Sequence, residues 1–305
     1  MTNQEFIQKN YLKNPYMRKL SDNDFIQRFN LILENMCFVD DNAKISLGTP
    51  NNERDFFWFR HWIEICKEAE NRNIYGNDIT NIFFHDKTHD FLEKINIEKL
   101  KEVRKSIGNN KYLYKYGKKL FLEKLLYSGS ILLRPASFYA DSSLNTAIRD
   151  DELTRFYILN SNYAEINFKI KNQSENHCIS NGYYIKNFET DYYIFCVTSK
   201  FEPRLFNDFE AESCLVIKQP NVFISKIKNI LPNNIFKFEY QDIAYFDPLL
   251  DNPLSVTIPF SKNFKYSYQN EYRMAFIPYE KKENFDSLNV NIGSIVDFAE
   301  IIDIF

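Results

Sequence analysis

A polar pair with a fixed spacing stands out near the end of the chain. Gln269 and Glu271 lie two residues apart, just before the mostly apolar run 272–277. Because alternate residues of a strand face the same side, both side chains should point the same way at the mouth of a strand. A carboxylate held there by rigid backbone suits a catalytic role, and an exposed polar pair at a strand entrance is the plain alternative.

Two earlier segments rich in strand-forming residues also end in polar side chains. Arg134 ends the run that begins at Ser130, and Thr198 with Ser199 ends the run that begins at Tyr192. If a sheet brings these strand ends together, a cation, two hydroxyls and an acid would face one cleft. A strand-end turn is the structural alternative for the two hydroxyls.

The order of these groups resembles the pattern of NAD-dependent ADP-ribosyltransferases of the Arg-Ser-Glu class. In that family an Arg lies on the first strand, a Ser-Thr-Ser on the second, and a Glu or Gln two residues before a Glu opens a late strand. Here Val197-Thr-Ser199 stands in the middle position, so one of the three hydroxyls is missing, and Gln269-Asn-Glu271 matches the third motif.

The chain also resembles the bacterial domain-of-unknown-function 2971 family over about 190 residues. Five pieces carry this resemblance: Lys111-Tyr-Leu-Tyr-Lys-Tyr116, Ile131-Leu-Leu-Arg-Pro-Ala-Ser-Phe138, Phe195-Cys-Val-Thr-Ser199, Tyr268-Gln-Asn-Glu-Tyr-Arg273 and the tail 292–301. Many members carry Asn-Asp-Pro after the first motif and Trp-x-x-Tyr after the second, where this chain has Ala140-Asp-Ser142 and Phe206-Asn-Asp-Phe209. The resemblance implies a bacterial toxin or antiviral (phage-defence) effector.

The resemblance to ADP-ribosyltransferases implies NAD as substrate and a role for each polar group. Glu271 would bind the ribose 2′-hydroxyl and stabilise the oxocarbenium-like state that forms when the nicotinamide–ribose bond breaks. Arg134 would bind the pyrophosphate or the nicotinamide-side phosphate. Ser199, with Thr198, would hold the strand edge and orient Glu271, and Gln269 would steer the accepting group.

Aromatic residues follow the predicted cation directly. Phe138 or Tyr139 could stack on nicotinamide, since aromatic faces also favour its cationic ring. The plain alternative for Arg134 is an ion pair with Asp141 or Asp151. For Glu271 it is an ion pair with Arg273 on the same strand face.

Two further clusters carry weaker signals. His85 and His89 have helical spacing for two metal ligands, but no matching cluster of cysteines or carboxylates accompanies them, so we predict no metal site. Asp150-Asp-Glu152 could bind a cation or a basic substrate. A charge cluster at the N-terminus of a helix running to Leu159 is the favoured interpretation.

Composition limits the function classes. The chain has 305 residues, 44% of them hydrophobic, and a formal net charge of −3, so no general footprint for nucleic acid or membrane is present. Only 7 residues are Gly, and neither GxGxxG nor GxxxxGK[ST] occurs, which excludes the common nucleotide-binding loops.

The 5 Cys are widely spaced without a CxxC, as expected of reduced thiols in a cytoplasm. The start of the chain lacks a basic and apolar leader and no 18-residue apolar run occurs, so we expect a cytoplasmic protein without a membrane partner.

The pattern of apolar residues divides the chain into two parts. Residues 1–110 predict helices, which would select a target, hold a regulator or form a homo-oligomer. Residues 111–305 predict an α+β domain with a split β-sheet like that of the ADP-ribosyltransferase fold. The expected strands are 130–136, 164–170, 183–185, 192–198, 214–217, 235–243, 255–258, 272–277 and 295–304.

These features favour an NAD-dependent ADP-ribosyltransferase, which acts on an unknown macromolecular acceptor, or an NAD glycohydrolase. A non-catalytic module that binds a nucleotide or a protein in the same cleft is the alternative. A hydrolase of nucleic acid is disfavoured, because no cluster of carboxylates suited to metal ions is evident.

Overall fold

A computed structural model describes residues 2–48, 53–74, 86–158, 175–180, 183–253, 255–282 and 285–305. The chain is a mixed α+β protein whose larger sheets are antiparallel, which confirms the predicted class. It divides into two compact units, residues 1–100 with Phe305 and residues 101–304, where the sequence had placed the boundary after residue 110. No helix in the described ranges is long and apolar enough to cross a bilayer.

The described helices follow strong local signals. Their bounds are α1 (Asn3–Lys13), α2 (Asp22–Met36), α3 (Glu53–Arg72), α4 (Asp86–Lys94), α5 (Ile97–Ile107), α6 (Lys119–Ser128), α7 (Arg204–Asp208) and α8 (Pro220–Lys228). Thr2 and Glu5 form a capping box at α1, and Ser21 caps α2, so unpaired amides of the first turn gain acceptors. In the first unit, α3 packs against α1 and α2, and the Tyr11 hydroxyl donates to buried Glu68 at 2.5 Å.

The second unit is built around a long antiparallel sheet. The strands are β1 (Cys37–Val39), β2 (Ile45–Leu47), β3 (Leu113–Gly117), β4 (Ser130–Pro135), β5 (Thr154–Ile158), β6 (Glu175–Ser180), β7 (Tyr183–Phe188), β8 (Tyr193–Thr198), β9 (Ser213–Ile217), β10 (Phe236–Asp242), β11 (Ala244–Phe246), β12 (Ser261–Asn263), β13 (Glu271–Pro278), β14 (Leu288–Asn291) and β15 (Ala299–Ile302). The sheet order is β10-β13-β8-β3-β9-β15, and β4 pairs with both β8 and β14. A smaller sheet, β5-β7-β6, the short parallel pair β11-β12 and, in the first unit, the antiparallel pair β1-β2 complete the strands described.

Strand β8 carries the feature that shapes the site. One edge of β8 pairs with β13 from Tyr193 to Thr198. The opposite edge pairs with β4 only at Tyr193 and Ile194, and with β3 only at Thr198. Between these contacts β3 and β4 diverge, so the described sheet is split beside residues 195–197.

The two faces of β8 meet different surroundings. Phe195 and Val197 belong to the main apolar core with Leu125 of α6 and Phe223 of α8. The opposite face carries Ile194 in a second apolar cluster, where Cys196 packs as a partly buried neighbour. Packing of two helices on one face leaves the other face free to hold polar groups of β13.

Gly129 connects helix α6 to strand β4 at a position that only Gly fits. Its φ of +72° is in the left-handed region, and an added Cβ would lie 2.1 Å from the Gly293 carbonyl oxygen. The Gly129 carbonyl accepts from the Ile292 amide at 2.9 Å. This close approach fastens the start of β4, which carries Arg134, to the chain that follows β14.

Several predicted elements differ from the structure. The segment after Asp150 forms strand β5 and not a helix. Its charged residues contact distant parts of the chain, Glu152 with Arg273 and Arg155 with Ser261. The predicted strand 255–258 is not formed: residues 255 and 256 form bends, and a short 3₁₀ turn begins at Ile258, where Pro259 supplies no amide for a sheet. The predicted last strand is confined to Ala299–Ile302. The predicted strand 164–170, and the short helix that the apolar residues of 79–84 predict, lie outside the described residues.

Candidate functional site

A cavity of about 610 Å³ lies at the split between β3 and β4. Strands β3, β4 and β8 line it, together with the loop that contains Ala147 and with Lys262 of β12. The predicted site residues among its lining are Arg134, Phe138, Tyr139, Thr198, Gln269 and Glu271. Ser199 is exposed and does not line it. The volume falls within the range of about 300–1,000 Å³ that is typical of small-molecule sites.

Glu271 is the first residue of β13 and is nearly buried beside this cavity. Its Oε1 accepts from Arg273 Nε at 2.8 Å, and its Oε2 accepts from Lys262 Nζ at 3.1 Å. Burial disfavours the charged carboxylate, but the charges of Arg273 and Lys262 outweigh burial and hold the pKa of Glu271 well below its ordinary value. Glu271 is therefore an ionised carboxylate, and the ion pair with Arg273 that the sequence left open is formed.

A second carboxylate completes the network around Arg273. Glu152 accepts from Arg273 Nη1 at 2.7 Å and Nη2 at 2.8 Å, a two-pronged ion pair. Arg155 Nη2 also lies 3.2 Å from Glu152, and its other contacts include the Ser261 carbonyl oxygen at 2.5 Å. Burial opposes ionisation of Glu152, yet Arg273, Lys262 and Arg155 keep its pKa below the ordinary value. The three cations and two carboxylates leave the network with one excess positive charge.

The acidic cluster 150–152 precedes a strand and is partly buried, whereas the sequence predicted that it begins a helix. Glu152 lies inside the network, although the sequence placed it at an exposed helix N-terminus. Asp150 is half-buried, and its Oδ2 has no hydrogen-bond partner within the described chain. Burial and the neighbouring Glu152 carboxylate raise the pKa of Asp150 to about 6, against the nearby charges of Arg155 and Lys262.

Gln269 binds the backbone of the Ala147 loop and the Lys262 side chain, and its predicted role of steering an acceptor stays a prediction. It ends the 3₁₀ turn Phe264–Gln269 and is buried. Its Nε2 donates to the Ala147 carbonyl at 2.7 Å, and its Oε1 accepts from Lys262 at 3.2 Å. Both the nitrogen and the oxygen of the side-chain amide form hydrogen bonds, so Gln269 holds the Ala147 loop beside Glu271. The two side chains converge on Lys262 although only Glu271 is in the strand.

The hydroxyls of Thr198 and Ser199 hold a turn and do not orient Glu271. The Thr198 hydroxyl donates to the Lys200 carbonyl. The Ser199 hydroxyl donates to the Asn270 carbonyl at 3.2 Å, and the Ser199 amide donates to the same oxygen at 2.8 Å. These bonds join the end of β8 to the start of β13. The carboxylate is oriented instead by Arg273 and Lys262.

Arg134 stands at the mouth of the split, next to the predicted aromatic residues. Its guanidinium carbon lies 4.1 Å from the centre of the Phe138 ring, and its Nη1 donates to the Ser287 hydroxyl at 3.0 Å. Phe138 and Tyr139 pack edge to face, with ring centres 5.5 Å apart. Within the described ranges Arg134 forms no ion pair. The two carboxylates predicted as its partners accept from backbone amides instead, Asp141 from Ser143 and Asp151 from Leu153 and Thr154. The remaining donors of Arg134 can bind an anion that enters the cavity.

Lys115 and Cys196 lie at the centre of the split, and the sequence assigned neither of them to the predicted site. Lys115 lies on β3, and its Nζ donates to the Cys196 carbonyl at 2.7 Å, where neither β3 nor β4 supplies a ladder hydrogen bond. The Cys196 thiol lies close to Glu271, and burial, with the Glu271 charge second, raises its pKa to about 12. Lys115 could have been found only through the Lys111–Tyr116 motif, which carried no functional assignment.

The described part of the chain contains no group of three or more His, Cys, Asp or Glu residues placed to hold a metal ion. His89 Nδ1 lies 3.4 Å from Glu93 on an exposed helix face. Its predicted companion, His85, lies outside the described residues. The charged and aromatic groups that line the cavity are carboxylates, guanidinium and ammonium groups, and aromatic rings.

No family model, curated protein or solved structure matches this chain. The resemblances quoted above therefore depend on the motifs themselves, and family and activity enter below as proposals.

Proposed function

We propose that this protein is an NAD-dependent ADP-ribosyltransferase or NAD glycohydrolase whose substrate occupies the cavity at the split in the sheet. The observation that carries the proposal is the convergence of Glu271, Arg134 and Phe138 on one cavity, from three distant parts of the chain. The sequence pattern that resembles Arg-Ser-Glu transferases supports the same substrate.

The state of Glu271 suits cleavage of the nicotinamide–ribose bond. Breaking that bond develops positive charge on the ribose, and a fixed carboxylate stabilises it. Arg273 and Lys262 keep Glu271 ionised and in one orientation. A carboxylate has about four lone-pair sites, so two ion pairs leave capacity for a ribose hydroxyl.

The remaining lining suits the rest of the dinucleotide. Arg134 offers donors for a phosphate, and the faces of Phe138 and Tyr139 offer stacking surfaces for a base or for nicotinamide. We propose that the reaction occurs in the bacterial cytoplasm, with a macromolecule or water as acceptor. A toxin or antiviral-defence effector is the role that the resemblance supports, and the N-terminal helices would bind the target, a regulator or a second copy.

Release of nicotinamide from NAD is the test of this function. We expect release by the native protein, and a loss of about 100-fold or more in Glu271→Gln, because the charge stabilisation is removed. Arg134→Gln should lose about 10-fold or more and should fold normally, because Arg134 is half-buried and forms no ion pair in the described chain. Glu239→Gln is the matched control, since among the described residues Glu239 forms an ion pair with Lys237 alone, on β10 and outside the cavity lining.

Folding must be measured beside activity, because Glu271 is also part of the buried network. A folded Glu271→Gln protein that releases nicotinamide as fast as the native protein would remove Glu271 from the mechanism. No release by native protein under any tested acceptor condition would contradict the proposed activity itself.

A second candidate, a nucleotide-binding module without catalysis, is favoured by one observation. Both carboxylate oxygens of Glu271 already accept from cations, as in a purely structural ion network. That module would be stabilised by NAD without cleaving it. A ligand at 100 times its dissociation constant adds about 2.7 kcal/mol to the free energy of unfolding, so the thermal shift with intact NAD separates the two candidates.

A further inference from the structure

The Lys115 ammonium group lines the cavity and forms no ion pair within the described chain. Its Nζ lies 4.9 Å from the centre of the Phe195 ring, and its one hydrogen bond is to the neutral Cys196 carbonyl. Across the described ranges no carboxylate lies within ion-pair distance of it. An ammonium has three donors, so at least two are left for a ligand. Burial lowers the pKa of Lys115, although the nearby Glu271 charge acts to raise it.

The charges around the cavity favour an anionic ligand. Its described lining carries two carboxylates, Glu152 and Glu271, and both are already neutralised by Arg273 and Lys262. The other charged lining groups are all cationic: Lys115, Lys118, Lys124 and Arg134. Lys118 has an exposed partner, Glu212, at 3.5 Å. Lys115 and Arg134 therefore supply most of the uncompensated charge on the two strands that diverge.

We propose that Lys115 on β3 and Arg134 on β4 bind, from opposite sides of the split, the two phosphates of a pyrophosphate-containing nucleotide. This deepens the proposed function and depends on it for the identity of the ligand as NAD. Two cations on separate strands suit an extended anion with one charged group for each. The bound phosphate supplies Lys115 with the anionic partner that the free protein lacks, and Cys196 marks the middle of the binding site.

The test measures binding and not turnover. Calorimetric titrations use sodium pyrophosphate and ADP-ribose as probes, at one fixed ionic strength, with sodium sulfate as the anion control. Lys115→Met is compared with Lys226→Met. Lys226 also donates to a backbone carbonyl, that of Ile292 at 3.1 Å, but does not line the cavity.

We expect Lys115→Met to weaken the binding of both probes by about 10- to 100-fold, the effect of losing a charge-assisted hydrogen bond. Lys226→Met should bind them as the native protein does. Lys115→Met should also melt no lower than Lys226→Met without ligand, because an unpaired buried charge is removed. Lys115→Gln, which retains a donor without the charge, is the second variant if the methionine protein does not fold.

The outcomes separate this inference from the proposed function. Equal binding by Lys115→Met and native protein overturns the inference, as does sulfate binding as tight as pyrophosphate binding or no binding of either probe. If Lys115→Met and native protein bind the probes equally and NAD is still cleaved, the proposed function stands without this inference. Conversely, binding of pyrophosphate that depends on Lys115, without nicotinamide release, supports the inference and removes the proposed activity.

Discussion

Glu271 belongs to a buried ion network and to the wall of the cavity at the same time. Arg273 and Lys262 hold its pKa below the ordinary value although burial opposes the charge. Loss of one partner from a buried pair leaves the other charge without compensation, which is costly. Substitution of this residue must therefore change stability as well as any activity.

The coupling between Glu271 and Lys262 can be measured. We expect Glu271→Gln to lower the free energy of unfolding by about 3–5 kcal/mol, since it leaves Arg273 and Lys262 short of negative charge. Adding Lys262→Met should recover about 1–3 kcal/mol, because the double variant keeps the net charge of the network. Urea titrations of the four proteins check this, and strictly additive losses would mean that the two residues are energetically independent.

Asp150 should make the protein less stable as pH rises, whereas Glu152 and Glu271 should make it less stable as pH falls. The pKa of Asp150 rises from 3.8 to about 6 on folding, so the folded state binds the proton more tightly than the unfolded state. The free energy of unfolding therefore falls as pH rises from about 4 to 6, by about 2 kcal/mol for this group alone. The lowered pKa values of Glu152 and Glu271 give the reverse slope, a loss as pH falls below about 4.5.

Asp150→Asn isolates the first slope. We expect the variant to be more stable than the native protein at pH 7 and about equal at pH 4. Thermal denaturation at several pH values in one buffer series gives the comparison. A constant difference between the two proteins across this range would show that Asp150 does not titrate as described.

At the scale of elements, the sequence predicted those strands whose formation depends on the composition of a short segment. Runs rich in Ile, Val, Phe and Tyr identified β8, β9, β10 and β13. The segment that contains Glu152 was misassigned because its charges resemble a helix N-terminus. Its actual partner, Arg273, lies 121 residues away in sequence, and no local pattern contains that contact.

The junction between α6 and β4 gives the prediction at this scale. Gly129→Ala should lower the free energy of unfolding by about 3–5 kcal/mol, because φ is positive and the new Cβ would overlap the Gly293 backbone. Gly117→Ala is the control, since its Cβ would meet Leu122 at an ordinary 3.8 Å. Circular dichroism during urea denaturation compares them, and similar small losses in both would contradict the close approach at Gly129.

At the scale of the whole molecule, the sequence predicted most of the groups that meet at the cavity, but not the exclusion of Ser199 or the way the groups are held. Arg134 and Glu271 do share one cavity, as their strand-end positions indicated. The order of polar residues could not reveal that Gln269 and Ser199 bind backbone carbonyls, since that depends on the turns around Asn270 and Ala147. Lys115 was missed because its importance comes from the gap between β3 and β4, a property of sheet pairing.

The central claim is that the split sheet binds a dinucleotide between β3 and β4, against Glu271. A crystal structure of the protein with ADP-ribose tests it most directly, because this ligand contains the pyrophosphate and cannot release nicotinamide. We predict its phosphates at Lys115 and Arg134 and a ribose hydroxyl within hydrogen-bond distance of Glu271. ADP-ribose bound elsewhere, with the cavity at the split unoccupied at saturating concentration, would contradict the claim.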